Sequence, residues 1–159
     1  MITKMKKVLF TLSILLVAAF SMNAVAQEVG AAPTNGPKIK LDKEVHDYGT
    51  IDKGADGVCK FKITNTGNQP LIISLCKGSC GCTVPTCPKE PIAPGTSETI
   101  EVKYDTQRVG PINKQVKITC NAVNQKNYNA DTGSGTTVVK IKGNIKDPNA
   151  SSGGASGAN

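Results

Sequence analysis

From Lys38 to Lys146, apolar side chains recur at every second position in short bursts, without the spacing of an amphipathic helix. Ile39 and Leu41 alternate with lysines, and Val45 follows. Cys59, Phe61 and Ile63 share one face of "VCKFKIT", and "PLIISL" is a short continuous apolar run. Ile100, Val102 and Tyr104 alternate in "TIEVKYD", Val116, Ile118 and Cys120 in "QVKITC", and Val139, Ile141 and Ile145 in the last burst. Successive side chains of a strand point to opposite faces, so each burst predicts a strand with one face on a core and one in water. Turn chemistry separates the bursts. "NTGNQP" (Asn65 to Pro70) joins residues that tolerate positive φ to a closing proline, and Pro94-Gly95 is a favoured centre for a type II turn. About seven short strands predict an all-β fold, an antiparallel β-sandwich with a small β-barrel as the alternative.

Outside that region the pattern changes. Lys4, Lys6 and Lys7 precede an apolar run from Val8 to Phe20, and Ala24-Val25-Ala26 gives an A-x-A site before Gln27. This order predicts a secretory signal peptide over residues 1–26, cleaved after Ala26. Thirteen residues are too few for a membrane anchor, which needs about twenty. No stable membrane insertion is expected after cleavage, and the mature chain is expected to be extracytoplasmic, periplasmic or secreted. Residues 27–37, rich in Ala, Gly, Pro and Asn, predict a flexible lead-in to a domain at 38–146. "DPNASSGGASGAN" (147–159) predicts a disordered tail.

Charge narrows the function classes. The formal net charge of +7 falls to +4 when the three leader lysines are removed. The other lysines sit mostly at the outward positions of strands, Arg108 is the single arginine, and no aromatic residues interleave with a basic cluster. Nucleic acid is therefore excluded as an expected partner. The carboxylates are scattered, the lone histidine (His46, in "VHDYGT") has no nucleophile pattern around it, and no glycine-rich phosphate loop is present. No catalytic, cofactor-binding or metal residue is assigned, and the chain is not expected to be an enzyme.

Cysteine is the remaining chemistry. Cys59 and Cys120 lie on the inward faces of an early and a late strand, the placement of the inter-sheet bond in immunoglobulin-type sandwiches. A Cys59–Cys120 bond is expected, with two buried free thiols as the alternative. "LCKGSCGCTVPTCPKEP" holds the other four, Cys76, Cys80, Cys82 and Cys87, spaced C-x3-C-x-C-x4-C in a loop of no regular pattern. Export favours disulfide staples. Four thiolates could instead bind Zn or Cu(I), although the spacing is not that of paired zinc knuckles, and Lys77 and Lys89 could favour redox exchange. On an extended backbone Cys80 and Cys82 would stand about 7 Å apart on one face, beyond usual disulfide reach.

Several stretches together, "VHDYGTIDKG", "FKITNTGNQPLIIS", "SCGCTVPTCPKEPIAPG", "IEVKYDTQRVGPINK" and "VVKIKGNI", resemble the DUF1573 family over Lys43 to Ile145. The resemblance implies a secreted immunoglobulin-like domain of Bacteroides-group bacteria. Its fold is related to the domains of the major sperm protein and of cilium-associated proteins, which serve mainly as binding modules. Only Cys80 and Cys82 belong to the family pattern. Cys87 stands where the family usually has tryptophan, and Cys76 where it usually has an aliphatic residue. Two cysteines that depart together and bracket the C-x-C pair are expected to bond to each other, with Cys80 and Cys82 at the loop's tip. The function expected is a non-catalytic binding or structural module of the cell envelope, whose partner is an envelope protein or surface component. The alternative is a soft-metal or thiol-redox protein using Cys76 to Cys87.

Overall fold

Alternation becomes burial strand by strand. In β3 (Val58–Asn65), Cys59, Phe61, Ile63 and Asn65 are buried while Lys60 and Lys62 are exposed. In β6 (Ser97–Tyr104), Ile100, Val102 and Tyr104 turn inward and Glu101 and Lys103 outward. The computed structural model describes residues 34–149 and contains six further strands. These are β1 (Ile39–Leu41), β2 (Val45–Asp52), β4 (Ile73–Gly78), β5 (Thr83–Thr86), β7 (Gly110–Cys120) and β8 (Gly135–Lys146). One sheet has the order β1-β3-β6-β5 and the other β2-β8-β7-β4. Their inner faces share one core, in which Phe61, Ile63, Ile100, Val102, Val116, Ile118 and Val139 are wholly buried. Each such side chain stabilises the fold by roughly 1.5–3 kcal/mol. No helix of the described residues is long and apolar enough to cross a membrane.

The sandwich has eight strands where about seven are expected, and one pair is not antiparallel. Ile39, Leu41 and Val45 do not share a strand: β1 pairs with β3 in one sheet, and β2 runs parallel to β8 in the other. Asp42 makes the break. Its N–H donates to the Lys62 carbonyl (3.1 Å) and its carboxylate accepts from the Lys62 N–H (2.9 Å), after which the Lys140 N–H donates to the Glu44 carbonyl (2.8 Å) across the sandwich. β2 then shifts register between Asp47 and Thr50, with Gly49 at φ 62°. Gly143 of β8 allows this close approach, because a Cβ there would lie 2.9 Å from both the Gly49 carbonyl oxygen and the Tyr48 Cβ.

Ordered packing also begins earlier than Lys38. Gly36 and Pro37, expected to lie in a flexible segment, are buried. The Gly36 N–H donates to Asn68 Oδ1 (2.9 Å), and the Val123 N–H to the Pro37 carbonyl (2.9 Å). The neighbouring turn is organised by Asn65, which has no exposed surface. Its Nδ2 donates to the carbonyls of Gln69 (2.8 Å) and Ile92 (2.9 Å), and its Oδ1 accepts from the N–H groups of Gly67 (3.0 Å) and Lys38 (3.3 Å). The expected signal peptide with Ala24, Ala26 and Gln27, and the tail beyond Asn149, lie outside the described residues.

Candidate functional site

The four clustered cysteines gather where the edge strands β4 and β5 of the two sheets meet. The loop read as irregular contains β5, a short strand of β-branched residues paired antiparallel with β6. Its Pro85 is tolerated because β5 is an edge strand. Cys76 on β4 is in register with Ile118 and packs on the core, and Cys87 directly follows β5. The two are bonded, with a Cα–Cα distance of 6.4 Å, so this bond ties one sheet to the other. Gly78 lets the strands close up, since a Cβ there would collide with the Thr83 carbonyl oxygen.

Between them, the Thr83 N–H donates to the Cys80 carbonyl (3.1 Å) and closes a turn. That turn corrects the extended-backbone expectation for Cys80 and Cys82, bringing their Cα atoms to 5.3 Å, and they are bonded to each other. The loop is held at both ends: the Ser79 N–H donates to the Gln115 carbonyl (2.8 Å), and the Asp105 N–H to the Cys82 carbonyl (2.9 Å). The two cysteines differ in exposure. Cys82 is 8% exposed and Cys80 is half-buried. The Thr83 hydroxyl, itself buried, lies 3.6 Å from the Cys80 sulfur and 3.9 Å from that of Cys82. Lys77 and Lys117 stand directly opposite each other across β4 and β7, a repulsive placement. With Gly78, Ser79 and Gln115 they line a cavity of ≈ 320 Å³ beside the loop. Among the described residues, no three His, Cys, Asp or Glu side chains form a group able to hold a metal ion.

The expected Cys59–Cys120 bond is absent, and both residues are buried free thiols. Inward-facing strands are not enough, because the two cysteines occupy opposite ends of the sandwich. Cys59 lies six residues before Asn65, which pairs with Ile39, and Ile39 is held through both its backbone groups by Asn124, four residues after Cys120. At the other end, the Tyr48 hydroxyl donates to the Gly57 carbonyl (2.8 Å) beside Cys59, Tyr48 packs on Gly143, and Gly143 is in register with Ile112, eight positions before Cys120 on β7. At 3.3 Å per residue, those eight positions span about 26 Å, against a Cα separation of at most about 7 Å for a disulfide. Burial pushes both thiols above the usual cysteine range, which keeps them unreactive. Gln125 Nε2 donates to the Cys120 sulfur (3.2 Å) and to the Thr137 hydroxyl (2.7 Å).

His46 is half-buried on β2, with Lys43 Nζ 3.4 Å from its Nδ1 and the Tyr48 ring edge-on at 4.5 Å. Burial and the Lys43 charge lower its pKa below 6.5, against the opposing pull of Asp47. A histidine depressed in the folded state favours the fold above its unfolded pKa, and that contribution is lost as pH falls through the folded pKa. Because His46 is the only histidine, its ring protons are expected to titrate below 6.5 by NMR. A midpoint at or above that value contradicts the assigned environment.

The family profile described as a protein of unknown function, DUF1573, matches residues 39–145, nearly the whole double sheet. The chain belongs to the DUF1573 family. No curated protein matches its sequence. Among solved structures, this DUF1573 domain is similar to a protein of unknown function from Porphyromonas gingivalis W83 (18% identity, 75% of this chain and 51% of that one, TM-score 0.56). It is also similar to the ASH/PapD-like domain 7 of human CEP192 (8% identity, 80% and 97%, TM-score 0.57). A third likeness is to the Vibrio cholerae VesB protease (18% identity, 67% and 32%, TM-score 0.53). The chain thus spans about half the length of the Porphyromonas protein and a third of VesB. At these identities the likenesses show the fold alone, an immunoglobulin-like β-sandwich.

Proposed function

We propose that this DUF1573 domain is an exported, non-catalytic module of the bacterial cell envelope. It binds an envelope protein or surface component through the edge formed by β4 and β5. The observation that carries this reading is the double cross-link, with two disulfides among the twelve residues from Cys76 to Cys87. Disulfides persist in oxidising compartments outside the cytoplasm. They also hold rigid an edge that exposes Leu75 (54%) on one sheet and Val84 (56%) on the other. An edge already ordered loses little further conformational entropy on binding.

Export and binding are tested together by expressing the full chain and fractionating the cells. The expected product is a mature form starting at Gln27 outside the cytoplasm. A photo-crosslinking residue at position 75 or 84 is expected to capture a discrete envelope component, while one at Val138 does not. A cytoplasmic chain retaining residues 1–20, or equal capture at all three positions, contradicts the proposal.

A further inference from the structure

The two disulfides are not equivalent. The Cys76–Cys87 bond links different sheets across eleven positions of chain, whereas Cys80–Cys82 spans two positions within one turn. A cross-link constrains the unfolded chain more as its loop lengthens. The shorter bond is therefore the weaker staple, on a loop that backbone hydrogen bonds already hold at both ends. Its surroundings suit a different task. One cysteine is half-exposed and the other is buried, and a hydroxyl stands beside both sulfurs. Lys77 and Lys117 add positive charge next to Ser79, the residue before Cys80. Positive charge favours thiolates and so assists thiol exchange.

The geometry points to Cys80–Cys82 as an exchangeable disulfide that oxidises a protein or peptide dithiol. A thiolate of the dithiol attacks the sulfur of Cys80, the more exposed of the two residues. The Cys80–Cys82 bond breaks, a mixed disulfide with Cys80 forms, and Cys82 leaves as a thiolate toward the Thr83 hydroxyl. The dithiol's second thiolate then attacks its own bonded sulfur and releases Cys80. Two electrons and two protons pass from the dithiol, which becomes a disulfide, to Cys80 and Cys82, which become thiols. The sheets stay joined throughout, because Cys76–Cys87 takes no part. This activity goes beyond the binding role and does not depend on which component the edge binds.

The test uses purified mature protein equilibrated in glutathione buffers of graded reduced-to-oxidised ratio, then acid-quenched, alkylated and mapped by mass spectrometry. Cys80–Cys82 is expected to open at a ratio about tenfold or more below that needed for Cys76–Cys87, with unchanged circular dichroism. A synthetic peptide bearing two cysteines is expected to form its disulfide one for one as the Cys80 and Cys82 thiols appear. The near-isosteric variant T83V is expected to slow this exchange about fivefold, the effect of one hydrogen bond on a barrier, without changing the circular dichroism. Opening of both bonds together, opening of Cys76–Cys87 first, or a peptide left reduced would overturn the proposal. An unaltered rate in T83V overturns the role given to the hydroxyl.

Discussion

Replacing Asn65 by alanine is expected to cost about 4 kcal/mol of stability and to lower the melting temperature by about 15 °C. The side chain is fully buried and all its hydrogen-bonding positions are used. Truncation leaves two carbonyls, of Gln69 and Ile92, and two N–H groups, of Gly67 and Lys38, without these partners. The Ile92 carbonyl keeps its bond from the Leu71 N–H (2.9 Å) and the other three groups are part-buried, so the four lost hydrogen bonds count at about 1 kcal/mol each. Aspartate at this position keeps the acceptor but loses both donations and buries a charge, so N65D is expected to be at least as damaging. Urea denaturation of the three proteins decides it, and a loss below about 1 kcal/mol for N65A contradicts the assigned role.

Removing the inter-sheet bond with the pair C76A/C87A is expected to cost about 3 kcal/mol, the chain-entropy value for a twelve-residue loop. The pair C80A/C82A closes only three residues and is expected to cost about half as much on the same basis. Equilibrium unfolding of both variants under non-reducing conditions checks it. Equal losses, or a larger loss for C80A/C82A, would show that the tip of the loop holds the edge together instead of the bond at its base.

The fold was legible where burial is decided strand by strand. The alternations around Phe61, Ile100 and Ile118 follow from one face meeting the core, and all three side chains are wholly buried. Sheet membership was not legible, because period-two alternation does not say which sheet a strand joins. That is why the sequence of Ile39, Leu41 and Val45 does not reveal that Asp42 ends one strand and sends the chain across to the other sheet. The same gap explains Cys59 and Cys120. Both face inward, but alternation carries no information on height along the sandwich, and a disulfide depends on height as much as on facing. In the cysteine cluster, the pairing of Cys76 with Cys87 was suggested only by comparison with the family pattern. The Cys80–Cys82 bond is out of reach of an extended backbone and depends on the turn that closes at Thr83. The β-branched "TVPT" could have revealed β5, but its proline and length hid the period. Asn65 read as a turn residue, and nothing in the sequence marks four simultaneous partners drawn from Lys38 to Ile92.

The parallel pairing of β2 with β8 has a consequence for the order in which the domain assembles. β2 lies at the edge of its sheet and has β8 as its single neighbour, so Val45 waits for Lys140, ninety-five residues later. Contacts between distant parts of the chain are slow to form, because the intervening loop must close before they stabilise anything. During synthesis, β2 has no strand to join until residues 135–146 have emerged, and the sheet that carries Cys76 is incomplete until then. The polypeptide therefore stays open along that edge until β8 has been made, the state in which a chain can still be threaded through a narrow pore before it closes on itself.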